Sequence, residues 1–212
     1  MIITHLEFKK LLKAWAEVML QHKDYLIDLD SIVGDADLGL TMSEGFAAAY
    51  HAVQDLDETD IGKLSYLAGK AMSRAVPSSM GTLMSQGFMS AGKALRGKDK
   101  LDEQGIAKFF EAYFDGVKNL GHAELGEKTF LDGIIGSLEI LKAGAETGRS
   151  LSDSAPLIIA AAEKDLEKTT TMIAKHGRAA ARGEASRKLI DPGAAVAKLM
   201  LTSFAEFVLE NE

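Results

Sequence analysis

Acidic side chains cluster around residue 35, within the stretch IVGDADLGLTM at residues 32–42. Asp30, Asp35 and Asp37 offer three hard oxygen ligands, and Gly34 and Gly39 let the backbone turn sharply enough for the carboxylates to converge. Converging carboxylates repel one another unless a cation lies among them. Since Mg²⁺ takes one or two carboxylates together with substrate phosphates, we predict a magnesium site here. The alternative is that these aspartates only cap helices and solvate a turn.

A calcium-binding EF-hand loop is excluded by the spacing of the same residues. Such a loop requires a glutamate at its twelfth position. Counting from Asp28 places Gly39 there, and counting from Asp35 places Phe46.

Two further glycine-containing stretches precede apolar segments. In PSSMGTL, Ser78, Ser79 and Gly81 stand where a helix begins, and free N–H groups at such a position favour an anion. In GEKTFLDG, Lys128 adds a mobile positive charge beside Thr129. Ordinary N-capping by the hydroxyl residues is the alternative at both places, and neither stretch matches the Walker phosphate-binding consensus.

A basic loop follows in HGRAAARGEASRKLIDPG, residues 176–193. Cations beside a carboxylate–metal cluster form a phosphate clamp, whereas the alternative is a solvated basic loop. The predicted clamp cations are Arg178, Arg182, Arg187 and Lys188. His122 and His176 lie nearby but are left out of the catalytic set, because lone histidines are usually surface residues or have satisfied hydrogen bonds.

Helical spacing of apolar residues runs through most of the 212-residue chain, which is 47% hydrophobic and has only 3 prolines. This pattern predicts an all-α fold of eight antiparallel amphipathic helices in one domain, residues 1–212. Trp15 falls on the apolar stripe of the first helix and is predicted to be core. The predicted helices cover residues 4–28, 42–54, 60–75, 81–96, 102–120, 129–147, 152–175 and 194–210.

The order of these helices predicts where their connections lie. If the helices run up and down in sequence, connections one, three, five and seven share one end of the bundle. Those four are the polar, glycine-rich connections, whereas the other three are short turns. A composite site is therefore expected on one rim, containing Asp30, Asp35, Asp37, Ser78, Ser79, Lys128, Thr129, Arg178 and Asp191.

Charge and composition argue against several classes of protein. The net charge of −7 is spread along the chain, which argues against a nucleic-acid-binding or anionic-membrane surface. The chain has no uninterrupted apolar run of 18 residues and no signal-peptide pattern, so a cytoplasmic protein is expected. The lack of cysteine excludes disulfides and thiolate metal sites.

Taken together, the loops resemble the nucleotide-binding L subunit, or L domain, of dihydroxyacetone kinases. One motif of that family is seen here as Asp30 followed by GDADLG, residues 34–39. A second combines glycine and arginine, then Gly-Glu-x-Ser, then Asp-Pro-Gly-Ala. It is seen here as Gly177, Arg178, Gly183, Glu184, Ser186, Asp191, Pro192, Gly193 and Ala194.

The resemblance implies an eight-helix antiparallel barrel that holds ADP or ATP at one end, with the three aspartates ligating two Mg²⁺ ions. Lys128 and Arg178 would position phosphates. The implied partners are a K subunit that holds dihydroxyacetone and a phosphohistidine protein of the phosphotransferase system as donor, with a homodimer left open. The nucleotide shell, including two predicted helix caps, would comprise Leu38, Gly39, Leu40, Thr41, Ser78, Ser79, Met80, Gly121, Thr129, Phe130, Arg178, Asp191, Pro192 and Gly193.

Other functions stay open at this stage. Leu38 and Thr41 stand where the family has histidine and asparagine, and PSSMG and Phe130 also depart from its pattern. These differences allow an ATP-exchanging kinase for another small hydroxy-ketone or sugar. The remaining alternatives are a nucleotide-dependent regulatory module and a helical barrel that holds an apolar ligand.

Overall fold

Helices account for most of the computed structural model, which describes residues 1–211. Within that range there are nine α-helices and two strands of two residues each. The strands are β1 (Ile3–Thr4) and β2 (Lys100–Leu101). The helices are α1 (His5–Gln21), α2 (Lys23–Val33), α3 (Leu38–His51), α4 (Ile61–Ala75), α5 (Ser79–Ala94), α6 (Glu103–Gly121), α7 (Phe130–Thr147), α8 (Leu151–Lys168) and α9 (Pro192–Glu210).

The helices close into a ring around one apolar core. α1 packs against α3 and makes few contacts with α2. From α2 onward each helix packs against the next, and α9 returns to pack against α1. Each helix buries one stripe of its surface, as amphipathic helices do, and the buried stripes merge into a continuous cluster. The prediction of an all-α fold is therefore confirmed.

Aromatic side chains fill the centre of the ring. Trp15, predicted to be core, is fully buried, and its ring centroid lies 5.8 Å from that of Phe88 and 6.0 Å from that of Phe109. Its indole N–H donates to the carbonyl of Met200 at 2.9 Å, which ties α1 to α9. This buried bond gives the polar end of the indole a partner where the ring closes.

The first predicted helix, residues 4–28, is divided in the structure, which corrects the expected count of eight. At His22 the backbone leaves helical geometry, with φ −101° and ψ 16°. Its backbone N–H and its ring Nδ1 both lie 3.0 Å from the Val18 carbonyl. The apolar pattern continues through the break, since Leu26 is buried again in α2, so periodicity alone did not reveal it.

Other boundaries also differ from the prediction. α3 begins at Leu38 rather than at 42, and α8 ends at Lys168 rather than at 175. The seventh connection contains 3₁₀ turns at Thr169–Thr171 and within Arg178–Ser186, where Gly183 interrupts the helical geometry. Capping residues rather than apolar spacing set the starts of several helices, which explains shifts of a few residues.

The end of the barrel opposite the predicted site is closed by backbone bonds. β1 pairs antiparallel with β2, with Ile3 opposite Leu101. Asp60 accepts two backbone bonds there, from Lys63 N at 3.1 Å and from Gly97 N at 2.9 Å.

α9 passes a length and hydropathy test for a membrane-spanning helix, with a mean hydropathy of 1.3. It contacts α1, α7 and α8, and 72% of it is buried inside the protein, which suits a core helix.

Candidate nucleotide and metal site

Four helix N-termini meet at one end of the barrel, as the order of the helices predicted. The residues before α5, α7 and α9 cap these helices with their side chains. Ser78 accepts from Gly81 N at 3.0 Å, Thr129 from Leu131 N at 3.2 Å and Asp191 from Ala194 N at 2.7 Å. Free N–H groups and aligned helix dipoles make this end favourable for an anion.

The N-terminus of α3 is capped differently, and this difference creates the acidic cluster. Asp37 occupies the N-cap position, but its carboxylate accepts no capping bond. Asp30 reaches back from α2 instead, and its Oδ2 accepts from Asp37 N at 3.0 Å and from Leu38 N at 3.3 Å. The sequence allowed the alternative that the three aspartates only cap helices. Of the three, Asp30 alone caps a helix.

The three carboxylates converge. One oxygen from each of Asp30, Asp35 and Asp37 lies within 4.8 Å of the others. Asp35 also pairs with Arg178, whose Nη2 lies 2.5 Å from Oδ2. The predicted acidic cluster and the basic loop are therefore in direct contact.

Local backbone geometry brings the carboxylates together. A Cβ at Gly34 would lie 2.1 Å from Oδ1 of Asp30, so only glycine leaves room for that carboxylate to fold back. Ala36, between the other two aspartates, has φ 62°, in the left-handed region that a residue with a Cβ rarely adopts. Holding alanine there costs about 1 kcal/mol or more, and such strain is concentrated at functional sites.

The electrostatics of the cluster favour a bound cation. Partial burial raises the pKa of Asp37, and the neighbouring Asp35 and Asp30 raise it further, while Arg178 opposes the shift. A divalent ion would remove the repulsion among the three carboxylates. Three converging carboxylate oxygens on an open rim fit a magnesium site that shares its ion with phosphate oxygens.

A polar cavity of about 470 Å³ begins at this cluster. It is lined by acidic residues on one side and by the seventh loop on the other. Its walls include Asp30, Asp35, Asp37, Leu38, Ser78, Ser79, Met80, His176, Arg178, Asp191, Pro192 and Gly193.

An apolar cavity of about 750 Å³ adjoins the polar one, and the segment at residues 77–80 lies in the wall of both. Its apolar wall comes from Leu83, Val117, Leu120 and Phe130. Gly121, Lys128 and Thr129 also line it. A charged cavity that opens into an apolar one suits a ligand with a phosphate chain and a flat apolar base.

Three residues predicted for the nucleotide shell lie apart from these walls. Within residues 1–211, Gly39, Leu40 and Thr41 line neither cavity. Gly39 packs against the Lys23 carbonyl, Thr41 is buried and Leu40 is exposed. They occupy the first turns of α3, where neighbours in sequence face different directions.

Of the four predicted clamp cations, Arg178 is the one that lines the polar cavity in the described part of the chain. Arg187 instead holds its own loop in shape. Its Nε donates to Glu184 at 2.9 Å and its Nη1 to the Thr171 carbonyl at 2.8 Å. Arg182 and Lys188 are exposed.

Lys128 is not the mobile cation expected from the sequence. Its side chain is buried, with 2% of the residue exposed, and its ammonium donates to backbone carbonyls, including that of Thr169 at 2.6 Å. This corrects the sequence-based interpretation of the residue. The amino acid type indicated a charge but not the direction in which the side chain points.

His176, left out of the predicted site, lines both cavities. Its Nε2 lies 2.6 Å from Oε2 of Glu127, so it joins the fifth loop to the seventh. Lys175 approaches the other oxygen of Glu127 at 3.3 Å. A backbone bond from Glu124 N, together with these two contacts, lowers the pKa of Glu127 to about 2. The available sequence signal was the position of His176, two residues before Arg178.

The model of one protein family, the DAK2 domain, matches residues 32–206 of this chain. That range contains α3 to α8, most of α9 and the three loops that line the polar cavity, at residues 34–37, 77–80 and 176–193. The chain belongs to the DAK2 domain family. The resemblance proposed from the motifs is confirmed by this match and by the relatives that follow.

Among curated relatives of this DAK2 domain, the Escherichia coli (strain K12) protein is named PEP-dependent dihydroxyacetone kinase, ADP-binding subunit DhaL. It is 30% identical over 189 residues, which cover 89% of this chain and 90% of the relative. L-erythrulose 1-kinase of Mycolicibacterium smegmatis is also 30% identical, over 92% of this chain but only 34% of its own length.

Solved structures show the same fold. The native dihydroxyacetone kinase of C. freundii aligns over 94% of this DAK2 domain with a TM-score of 0.71 and 24% identity. The same kinase in complex with AMP-PNP and Mg²⁺ aligns with a TM-score of 0.67. This chain spans about a third of the solved chains, 34% and 33% respectively.

Proposed function

We propose that this DAK2 domain is the nucleotide-binding phosphotransfer subunit of a dihydroxyacetone kinase. It carries Mg-ADP or Mg-ATP and passes the γ-phosphoryl group to dihydroxyacetone held on a partner K subunit. A phosphohistidine protein of the phosphotransferase system recharges the bound ADP. The setting is the cytoplasm, and no nucleic acid or membrane takes part.

One observation carries the proposal: a carboxylate cluster paired with Arg178 lies at the mouth of a cavity that continues into an apolar chamber. The names of relatives of similar length support ADP as the ligand. The complex of a structural neighbour with AMP-PNP and Mg²⁺ supports the pairing of nucleotide and metal.

The charged residues of the polar cavity would bind the metal ions and the phosphates. Asp30, Asp35 and Asp37 would hold two Mg²⁺ ions, which supply electrostatic stabilisation of the phosphate oxygens. Arg178 places a guanidinium beside the same oxygens. Phosphoryl transfer depends on positioning and charge neutralisation more than on a protein nucleophile.

The residues of the predicted shell that line the two cavities surround the nucleotide. Ser78, Ser79 and Met80 approach the phosphates at the start of α5, and the start of α9 approaches them from the other side. The base lies against Gly121 and Phe130. The K subunit supplies the substrate, so the chain itself holds half of an active site.

The first experiment is to denature the purified protein and identify any released nucleotide by chromatography, together with its molar ratio. Near-stoichiometric ADP is expected for a resident cofactor that is recharged by a phosphoprotein. An empty protein that binds added Mg-ATP would instead indicate an exchanging kinase. A protein that binds neither would overturn the proposal.

A matched pair of variants tests the metal ligands. Asp35→Ala is expected to abolish retention of Mg-ADP, because it removes one of three carboxylates and the partner of Arg178. Asp57→Ala is the control, since Asp57 is an exposed aspartate outside both cavities. Normal retention of Mg-ADP by Asp35→Ala would contradict the assignment of this site.

A second candidate substrate is a larger hydroxy-ketone such as erythrulose. Relatives named erythrulose kinases, 27–30% identical to this chain, favour it. Phosphotransfer assays with the companion subunit and either dihydroxyacetone or L-erythrulose separate the two. A protein that binds nucleotide and transfers to neither would fit a regulatory module.

A further inference from the structure

Lys128 lies directly before the N-cap of α7, and its ammonium is enclosed by backbone oxygens. The ammonium has three N–H donors and lies near four carbonyl oxygens, two of them at shorter and two at longer distance. The accepting carbonyls belong to Thr169 at 2.6 Å, Leu189 at 2.5 Å, Arg187 at 3.3 Å and Met172 at 3.4 Å.

These carbonyls flank the segment that carries Arg178. This segment is residues 172–189. Thr169 and Met172 lie at its start, and Arg187 and Leu189 lie at its end. The ammonium therefore bonds both ends of residues 172–189 at one point. Both ends are distant in sequence from Lys128, so its bonds to them also fix the segment to the start of α7.

Other buried bonds surround the same point. The hydroxyl of Ser186 accepts from Ala174 N at 3.0 Å and donates to the Gly183 carbonyl at 2.6 Å. Thr169 Oγ1 accepts from Asp191 N at 3.2 Å. The base of the segment is thus a small polar core, whereas its tip, at Gly177 and Arg178, is exposed.

The carbonyl oxygens of this polar core favour a positively charged donor. Removing the ammonium would take this donor from part-buried carbonyls such as those of Arg187 and Leu189, and a polar group that is shielded from water without a partner costs more than a surface bond gains. Burial lowers the pKa of Lys128, and the nearby Asp191 carboxylate opposes this shift. Lys128 also has φ 63°, a conformation that residues other than glycine adopt at a cost.

We propose that Lys128 is a positioning residue whose ammonium fixes the base of residues 172–189 and so holds Arg178 against Asp35 at the mouth of the polar cavity. The effect of Lys128 on phosphate binding rests on the function proposed above. Its effect on the order of residues 172–189 does not, and the two effects are tested separately.

The test measures trypsin cleavage of the nucleotide-free protein after Arg178 and Arg182, both of which are exposed. Lys128→Ala removes the ammonium with three methylene groups, and added n-propylammonium replaces them. 1-Propanol is the neutral control of the same shape. Lys93→Ala, which removes an exposed lysine from α5, is the matched control variant.

We expect cleavage of Lys128→Ala within the segment to be roughly tenfold faster or more, because local opening becomes easier when buried bonds are lost. n-Propylammonium should restore most of the protection, and 1-propanol should not. The Lys93→Ala variant should behave as wild type.

Three results would overturn the proposal: an unchanged cleavage rate, equal rescue by the alcohol, or acceleration at all tryptic sites in proportion. The last would make Lys128 a general stability residue. Should Lys128→Ala fail to fold, Lys128→Met, which keeps the volume without the charge, is cleaved under the same conditions and judged by the same site pattern.

Mg-ADP binding by Lys128→Ala, with and without n-propylammonium, gives the functional readout. Weaker binding that the cation restores is expected. If wild-type protein binds no nucleotide, the proposed function fails while the cleavage result still decides the role of Lys128.

Discussion

The two ends of the barrel use carboxylates in opposite ways. At the closed end, Asp60 accepts from two backbone N–H groups and Asp102 caps α6 by accepting from Gly105 N at 2.9 Å. At the open end, Asp35 and Asp37 face each other and Asp30, and Asp37 caps nothing. The carboxylates of the closed end accept bonds from the backbone, whereas among the three clustered aspartates of the open end only Asp30 does so.

This difference separates stability from function. A carboxylate that accepts backbone bonds stabilises the helix it caps. A carboxylate placed among others raises the electrostatic energy of the folded chain unless a ligand compensates. Substitutions at the two ends should therefore affect different measurements.

The largest effect is expected for Asp37→Ala at the open end. Its affinity for Mg-ADP should fall by about 100-fold or more, since a metal ligand is lost. Its thermal stability without Mg²⁺ should not fall, because the raised pKa of Asp37 means that its ionised form is disfavoured in the folded protein. Calorimetric titration and a melting curve check the two parts. A destabilised variant with normal affinity would abolish the distinction between the ends.

The converse is expected for Asp60→Ala at the closed end. Losing the N-cap of α4 and the bond to Gly97 N should lower the free energy of unfolding by about 2 kcal/mol. The affinity for Mg-ADP should not change. Urea denaturation and the same titration measure both quantities. Weakened nucleotide binding at unchanged stability would show that this end also serves the ligand.

A substitution in the apolar cavity separates the binding of the base from the binding of the phosphates at the open end. A Cβ at position 121 would lie 3.2 Å from Cδ2 of Leu83, so Gly121→Val narrows the apolar chamber and leaves the carboxylates in place. Binding of Mg-ADP should weaken by about tenfold or more, because valine adds three carbons and a single extra methylene in an apolar pocket already costs about tenfold. Mg-pyrophosphate, which has no base, should bind as before. Equal weakening of both ligands would place the base elsewhere.

The last prediction concerns the pH dependence of stability. Burial raises the pKa of Asp191 from its ordinary 3.8 to about 7. The folded protein then retains a proton that the unfolded chain has released, so stability falls as the pH rises through that window, by up to about 1.4 kcal/mol per pH unit.

Asp191→Asn should remove this contribution, because asparagine keeps an acceptor for Ala194 N but does not titrate. Its unfolding free energy, measured in urea across the same pH window, should depend less steeply on pH than that of the wild type. An unchanged slope would assign the pH dependence to another group.

Much of the fold and the site could be predicted because both rest on local patterns. Apolar spacing gave the helices, and their order placed four glycine-rich loops on one rim. The break at His22 was not predicted, since the apolar stripe continues from Met19 to Leu26 across it. Gly39, Leu40 and Thr41, in the first turns of α3, were assigned to the shell from a motif, which gives positions along the chain and not the directions of side chains, and they line neither cavity.

The sequence by itself determined the all-α class, the acidic cluster and the arginine beside it, since glycines, capping residues and charges act over a few positions. Only the tertiary structure decided where long side chains end. Lys128 and Arg178 are both cations in glycine-rich loops, yet one is enclosed by carbonyls and the other meets Asp35. The physical reason is that burial depends on which segments pack around a side chain, and these segments lie 41 to 61 residues from Lys128 in sequence.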